Sequence, residues 1–247
     1  MPCAHHLRYW RGNNALAVLY VNGEKTSLDA ADIQPDYALV DASLAAGQTA
    51  YLKACTVMDA FCQAIESYWA VGSTEESRQF ARDAIVLLRE VLVSYVTTDA
   101  PEAAEVVAKG AYLAGRAINI SRTTAAHAFS YALTTRHGIP HGHAVALTLP
   151  MLWQYNASAM PGQIVDPRGA EHIAIVMNEL GALVDDNPLV YFHALYDSLG
   201  LEYRFAKLGI RSLDFLASAV NVERLGNNPV RLDIPQFLSD CYLSGQN

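Results

Sequence analysis

The chain has 247 residues, of which 52% are hydrophobic and 17% charged, and its formal net charge is −8. This balance supports a sizeable core and excludes a disordered chain. Because phosphate binding needs a basic face, the acidic composition without a long run of Lys or Arg argues against nucleic acid as a partner. The sequence shows no signal-peptide pattern, no CxxC pair and no apolar run of about 18 residues, so we expect a cytoplasmic protein with no membrane partner.

The first 45 residues predict a short β-containing segment. Residues 15–21 form an apolar run that ends at the turn dipeptide Asn22-Gly23, and residues 25–28 predict the return strand of a hairpin. A further short strand is predicted over residues 37–40. From there the apolar spacing becomes helical, so we predict two parts, residues 1–45 and a helical domain over residues 46–247.

The helical part is predicted to be an all-α bundle. Apolar spacing over residues 50–69 predicts the first helix, Ser73-Thr74 is a good N-cap signal for the second, and Pro101 begins the third. A fourth helix is predicted over residues 124–133, and a Gly-Ile-Pro break separates it from the next. The remaining predicted helices cover residues 171–183, 187–198, 201–208 and 213–220, and a last helix follows Pro235.

A cluster of histidines is the strongest chemical signal in the sequence. Four of the eight histidines lie within 17 residues: His127, His137, His141 and His143. Neutral imidazole is a common metal ligand, and side chains from consecutive helices can converge on one ion. We therefore predict His127 and His141 as ligands and consider His137 and His143 as catalytic bases. A structural role for His143 is an alternative, because two positions along a helix turn its side chain away from His141.

A carboxylate is expected to complete such a site. Asp59 lies in an apolar helical stretch, where an unpaired charge is costly, so it needs a cation, an arginine or several hydrogen-bond donors. Gln63 lies one helical turn later on the same face and offers a carbonyl oxygen. Helix capping or a buried hydrogen bond would explain this pair of residues equally well.

Three stretches resemble the iron-dependent (group III) alcohol dehydrogenase family: residues 59–68, 123–131 and 138–144. Residues 224–230 agree with its phosphonoacetaldehyde reductase-like branch, and the resemblance covers roughly residues 15–235. It implies an all-α, dehydroquinate synthase-like helical bundle that holds Fe²⁺ or Zn²⁺ through one Asp and three His. It also implies a separate Rossmann-like domain that binds NAD(P).

The resemblance also implies roles for individual residues. Asp59, His127 and His141 match three of the family's metal ligands, whereas Gln63 stands where many members have a fourth, a His. Tyr131 stands where many members place another active-site His, and a Tyr can stack or donate a hydrogen bond there. The phosphonate branch implies an anionic substrate, for which Arg122 and Arg136 are candidate contacts, although two surface arginines without that role fit equally well.

The beginning of the chain departs from the family pattern. Before position 47 it contains only Gly12 and Gly23 and no glycine-rich phosphate loop. We expect residues 1–45 to be a remnant of the nucleotide-binding domain, so that NAD(P) binds only if a partner chain supplies that domain. Such a remnant leaves a packing face exposed, which predicts a homo-oligomer. Three functions stay open: half of a dehydrogenase for a small alcohol or aldehyde, an NAD-independent hydrolase or lyase, and a non-catalytic remnant.

Overall fold

A computed structural model of the chain describes residues 16–21, 24–45, 47–98, 100–220 and 222–245. The predicted hairpin is present: β1 (Leu16–Val21) and β2 (Glu24–Asp29) pair antiparallel. Its predicted turn at Asn22-Gly23 lies outside the described residues, as do the first 15. Residues 37–40 form no strand, so that prediction was wrong; Tyr37 and Leu39 are more than 90% exposed and neither is paired with a strand of the described chain.

The rest of the described chain is helical, which confirms the predicted all-α bundle with a short β-containing start. Within the described residues, no helix combines the length and apolar character needed to cross a membrane. The helices are α1 (Ala50–Trp69), α2 (Glu75–Thr97), α3 (Pro101–Ser121), α4 (Ala125–His137), α5 (His141–Ala146), α6 (Leu149–Ala157), α7 (Gly169–Leu183), α8 (Pro188–Leu199), α9 (Phe215–Ala219), α10 (Val222–Gly226) and α11 (Ile234–Ser244).

Helix α1 is the centre of the bundle and packs against α2, α3 and α5. The Thr49 hydroxyl caps its start by accepting a hydrogen bond from the Leu52 amide at 3.3 Å. Its apolar residues are fully buried on several sides, so the hydrophobic effect fixes its position. Two carboxylates, those of Asp59 and Glu66, are buried in the same helix and therefore need specific partners.

The approach of α5 to α1 depends on one glycine. A Cβ atom placed on Gly142 would lie 1.9 Å from the Cys55 carbonyl oxygen and 2.9 Å from the Asp59 Cβ. Only a residue without a side chain allows the two backbones to come this close. Because His141 immediately precedes Gly142, this contact brings His141 against the part of α1 that carries Asp59.

Asn227 ties the beginning of α4 to the loop between α1 and α2. Its side-chain oxygen accepts from the Gly72 amide at 2.9 Å, and its Nδ2 donates to the carbonyls of Ser121 and Thr123 at 2.9 and 3.0 Å. The predicted loop at residues 227–229 is therefore a fixed structural element that locates the start of α4.

The predicted helix over residues 201–208 is not formed. Gly200, with φ of +67°, ends α8, and the chain continues through turns. The carbonyl of Glu202 accepts a hydrogen bond from His143 Nε2 at 2.8 Å. In a helix that carbonyl would instead accept from the amide four residues later, so this tertiary contact competes with the predicted helix.

Candidate metal centre

Three buried side chains from three helices converge on one point. Asp59 of α1, His127 of α4 and His141 of α5 are each no more than 5% exposed. Asp59 Oδ1 lies 3.4 Å from His127 Nε2 and 3.8 Å from His141 Nε2, and one ligand atom from each residue lies within 4.8 Å of the others. The structure therefore brings together the three residues that the sequence singles out as ligands.

This geometry fits a divalent metal ion. In a tetrahedral zinc site with bonds of about 2.1 Å, ligand atoms lie about 3.4 Å apart, close to the two distances from Asp59. Within the described part of the chain, the buried Nε2 of His127 has no hydrogen-bond partner, and such an atom is costly unless it binds something. One carboxylate and two imidazoles form a donor set that suits Zn²⁺ and Fe²⁺.

Glu66 fixes the orientation of His127. It is fully buried, and its Oε2 is in close contact with His127 Nδ1. Because a carboxylate accepts hydrogen bonds, Nδ1 carries the proton and Nε2 keeps its lone pair towards Asp59. The other oxygen accepts from the Thr124 hydroxyl at 2.7 Å and the Ala126 amide at 2.9 Å. One carboxylate therefore holds both the ligand and the first turn of α4.

The Glu66–His127 pair also changes the proton affinity of both groups. Burial acts to raise the pKa of Glu66, but the neighbouring His127 and the hydrogen bonds lower it below its ordinary value. Burial acts to lower the pKa of His127, but the carboxylates of Glu66 and Asp59 raise it above its ordinary value. Without a metal, the two carboxylates therefore stabilise a second proton on the His127 ring, which gives the ring a positive charge.

Ser130 orients His141 in the same way. Its hydroxyl donates to the His127 carbonyl at 2.7 Å and lies 3.1 Å from His141 Nδ1. Since the hydroxyl has one proton, its oxygen accepts from Nδ1–H. His141 Nε2 is then the unprotonated nitrogen, and it faces Asp59. Both histidines thus present a lone pair to the same point.

Gln63 is half-buried one turn after Asp59, and both residues line a cavity of about 80 Å³ between α1 and α3. Thr56, Val107 and Ala111 form other parts of its wall. The structure places Gln63 beside Asp59, and its role as a fourth ligand stays a prediction.

His143 has hydrogen-bond partners at both ring nitrogens. Nε2 donates to the Glu202 carbonyl at 2.8 Å, so Nδ1 accepts from the Tyr51 hydroxyl at 3.0 Å. Burial lowers the pKa of His143. These contacts support the structural alternative for this residue, and its catalytic role stays a prediction.

The other two predicted catalytic residues lie at different distances from the centre. The Tyr131 ring meets the His141 ring edge-on with 5.9 Å between centroids. His137 is exposed in the last turn of α4, ten residues after His127 and therefore about 15 Å further along the helix. Tyr131 borders the metal centre, whereas α4 carries His137 away from it.

The two predicted substrate arginines have contacts outside the cluster of ligands. Arg122 follows α3 with φ of +62°, and its guanidinium donates to the Ile118 carbonyl at 3.3 Å and to the Asn119 carbonyl. Arg136 is exposed, and its guanidinium lies 5.1 Å from the Phe215 ring centre. These contacts are of a structural kind, and a role in substrate binding stays a prediction for both.

Sequence reasoning missed Glu66 and Ser130, which orient the two histidines. Glu66 had a detectable signal, because Asp59, Gln63 and Glu66 follow the i, i+4, i+7 spacing of one helical face. A stripe of three polar residues along an otherwise buried helix indicates a common partner. Ser130 had no such signal, since a small hydroxyl in a helix is common.

Residues 53–234 match a family model described as Fe-containing alcohol dehydrogenase family, C-terminal. The chain belongs to this family. It is 35% identical over 214 residues to the phosphonoacetaldehyde reductase of Streptomyces viridochromogenes, covering 85% of this chain and 54% of that protein. It is 27% identical over 215 residues to the NAD-dependent methanol dehydrogenase of Bacillus methanolicus, covering 84% and 55%. The chain thus spans about half the length of these relatives.

Solved structures agree with this assignment. The sulfoacetaldehyde reductase of Bifidobacterium kashiwanohense in complex with NAD⁺ superposes with a TM-score of 0.79 at 25% identity, covering 95% of this chain and 61% of that one. A 1,3-propanediol oxidoreductase has the same fold, with a TM-score of 0.80 at 24% identity over 96% of this chain and 64% of that one. The helical fold predicted from the resemblance is therefore confirmed.

Proposed function

We propose that this chain forms the metal and substrate half of a metal-dependent oxidoreductase that interconverts a small alcohol and its aldehyde. The convergence of Asp59, His127 and His141 in a buried site carries this proposal. Membership of the Fe-containing alcohol dehydrogenase family supports it. Gln63 is the proposed fourth ligand.

The chain's own residues contribute binding and orientation. When bound, Fe²⁺ or Zn²⁺ supplies a Lewis acid that polarises a carbonyl oxygen. Asp59 brings the negative charge that favours a divalent cation, and Glu66 and Ser130 keep both imidazole lone pairs directed at the site. Tyr131 supplies one wall beside His141.

The proposed hydride carrier is NAD(P), held by a nucleotide-binding domain that a partner chain supplies. Two proteins similar to this chain, the NAD-dependent methanol dehydrogenase of Bacillus methanolicus and the sulfoacetaldehyde reductase in complex with NAD⁺, support NAD(P) as the carrier. The exposed apolar residues Tyr37, Leu39 and Leu44 support self-association as well. Light scattering that finds only monomers at micromolar concentration would contradict the self-association.

The proposed substrate is a small aldehyde that carries a phosphonate group. Two proteins similar to this chain are named for aldehydes with an anionic group, phosphonoacetaldehyde and sulfoacetaldehyde. Each of these two aldehydes has two carbons, and its charged group is bonded to the carbon next to the carbonyl.

Metal content tests the core of the proposal. The full chain, purified without added metal, should contain about one Fe or Zn ion by elemental analysis, and His127→Ala should lose most of it. His172→Ala is the matched control, because His172 lies on α7 outside the cluster of ligands. A metal-free wild-type chain that also fails to bind added Zn²⁺ or Fe²⁺ overturns the proposal.

Activity tests the reaction. The chain should be mixed with the part of the Streptomyces phosphonoacetaldehyde reductase that precedes the matched half, and oxidation of NADH or NADPH followed with phosphonoacetaldehyde and with propanal. Metal-dependent turnover only in the mixture supports the proposal. Turnover of either compound by the chain alone, without nicotinamide and abolished by chelation, would instead favour the NAD-independent metalloenzyme.

A further inference from the structure

Arg224 holds a positive charge beside the metal centre. Its Nη1 donates to the Thr123 hydroxyl, and its guanidinium carbon lies 5.4 Å from the centre of the Tyr131 ring. Thr123 is buried, whereas Arg224 and Tyr131 are half-buried. The guanidinium is therefore fixed at two points along α4 and the residues that lead into it.

These two points lie on either side of a metal ligand. Thr123 lies just before the first turn of α4, whereas His127 and Tyr131 are four residues apart within α4 and share one face of that helix. A group that contacts both Thr123 and Tyr131 therefore spans the stretch of chain that contains His127. The Tyr131 ring also meets the His141 ring of α5, so Arg224 contacts a side chain that itself borders a predicted ligand.

We propose that Arg224 forms the subsite for the anionic group of the substrate, a phosphonate or sulfonate one carbon away from the aldehyde carbonyl. This inference rests on the function proposed above, and it names the residue that selects the substrate class. The planar guanidinium suits bidentate contact with a tetrahedral oxyanion. The carbonyl end of the same small molecule would then point towards Asp59, His127 and His141.

The structure favours Arg224 over the two arginines chosen from the sequence. The guanidinium of Arg122 binds carbonyls of its own helix, and Arg136 lies at the far end of α4. Arg224 is about 100 residues from His127 in sequence, yet α10 packs against α4 and brings it to the centre. This juxtaposition appears only after folding.

Ligand binding to the Zn²⁺-loaded full chain tests the subsite without requiring turnover. Isothermal titration should compare 2-hydroxyethylphosphonate with uncharged 1-propanol for the wild type, Arg224→Gln and Arg224→Lys. Loss of a charged hydrogen-bond donor should weaken phosphonate binding by about tenfold to a hundredfold in Arg224→Gln. Affinity for 1-propanol should stay within about twofold. Arg224→Lys, which keeps the charge, should lose less than Arg224→Gln.

Two control variants and the metal titration make the result decisive. Arg211→Gln removes an exposed arginine of the loop before α9 and should leave both affinities unchanged. The assignment is overturned if Arg224→Gln loses affinity for phosphonate and for propanol equally. It is also overturned if Arg136→Gln, rather than Arg224→Gln, loses affinity for phosphonate alone. Phosphonate binding that is the same with and without Zn²⁺ overturns it too. Zn²⁺ binding measured on every variant separates these outcomes from failure of the metal site itself.

Discussion

Replacing Glu66 by Gln should weaken metal binding although Glu66 does not face the metal centre. The side-chain oxygen of Gln can still accept from Thr124 and Ala126, so the start of α4 keeps its anchor. The amide nitrogen then faces His127 Nδ1, where two donors would meet. His127 relieves this conflict by moving its proton to Nε2, which removes the lone pair from the metal centre.

The size of the effect follows from the contacts. Loss of a hydrogen-bonded partner behind a metal-binding histidine typically costs about 10–100-fold in metal affinity, or about 1.4–2.7 kcal/mol. The chain itself should lose about 1.5–3 kcal/mol of unfolding free energy, the usual value of a hydrogen bond to a charged group. Glu66→Ala should be far worse, because it leaves the Thr124 and Ala126 amides buried without an acceptor.

Competition with a chromophoric Zn²⁺ chelator measures the first quantity, and urea unfolding in excess chelator measures the second. Glu90→Gln on the exposed side of α2 is the matched control and should change neither. If Glu66→Gln binds Zn²⁺ as tightly as the wild type while remaining folded, the assignment of the Nδ1 proton is wrong.

Three further predictions concern packing, the loop anchor and pH. Gly142→Ala should lower unfolding free energy by about 1–3 kcal/mol, the usual cost of overpacking, and should weaken Zn²⁺ binding. Gly162→Ala should change neither quantity, because nothing lies within 4 Å of its added Cβ. Asn227→Ala should lower unfolding free energy by about 1–3 kcal/mol in urea unfolding, because it removes the three hydrogen bonds to the Gly72 amide and to the Ser121 and Thr123 carbonyls. Replacing the exposed Asn178 by Ala should cause no change. In chelator, stability should decline as pH falls below 4.5, the ordinary pKa of a Glu carboxyl, because folding lowers the pKa of Glu66. It should also decline as pH rises above 6.5, the ordinary pKa of a His side chain, because folding raises the pKa of His127; a urea-unfolding profile that is flat across both ranges contradicts this.

The bounds of a helix were predicted most reliably where the local helical pattern and burial in the fold favour the same structure. α1 begins and ends where its apolar spacing places it, because burial on nearly every side reinforces the helical pattern. Asp59 was found because it is a polar residue in an apolar helical stretch. His127 and His141 were found because they belong to a dense cluster of histidines. Their convergence follows from the packing of α5 on α1. This is a long-range contact, so no local sequence pattern predicts the distances between the three side chains.

The predicted helix over residues 201–208 failed because a long-range contact overrides a local pattern. Residues 201–208 have helical spacing, but the Glu202 carbonyl serves His143 instead of a helical amide. Proximity in sequence to the His127 helix made Arg122 and Arg136 candidate substrate contacts, and that role stays a prediction. The direction of a side chain depends on the backbone, and the positive φ at Arg122 returns its guanidinium to α3.

The metal centre is also a place where a proton and a metal ion compete. Asp59 and Glu66 place two carboxylates around His127, and this is why its pKa is raised above the ordinary value despite burial. If His127 held a metal ion, its ring would keep only the Nδ1 proton and would release the other one. Apparent metal affinity must therefore fall as pH falls through the His127 pKa. The two carboxylates that stabilise a protonated His127 without metal would thus set the pH range in which the chain binds a metal ion.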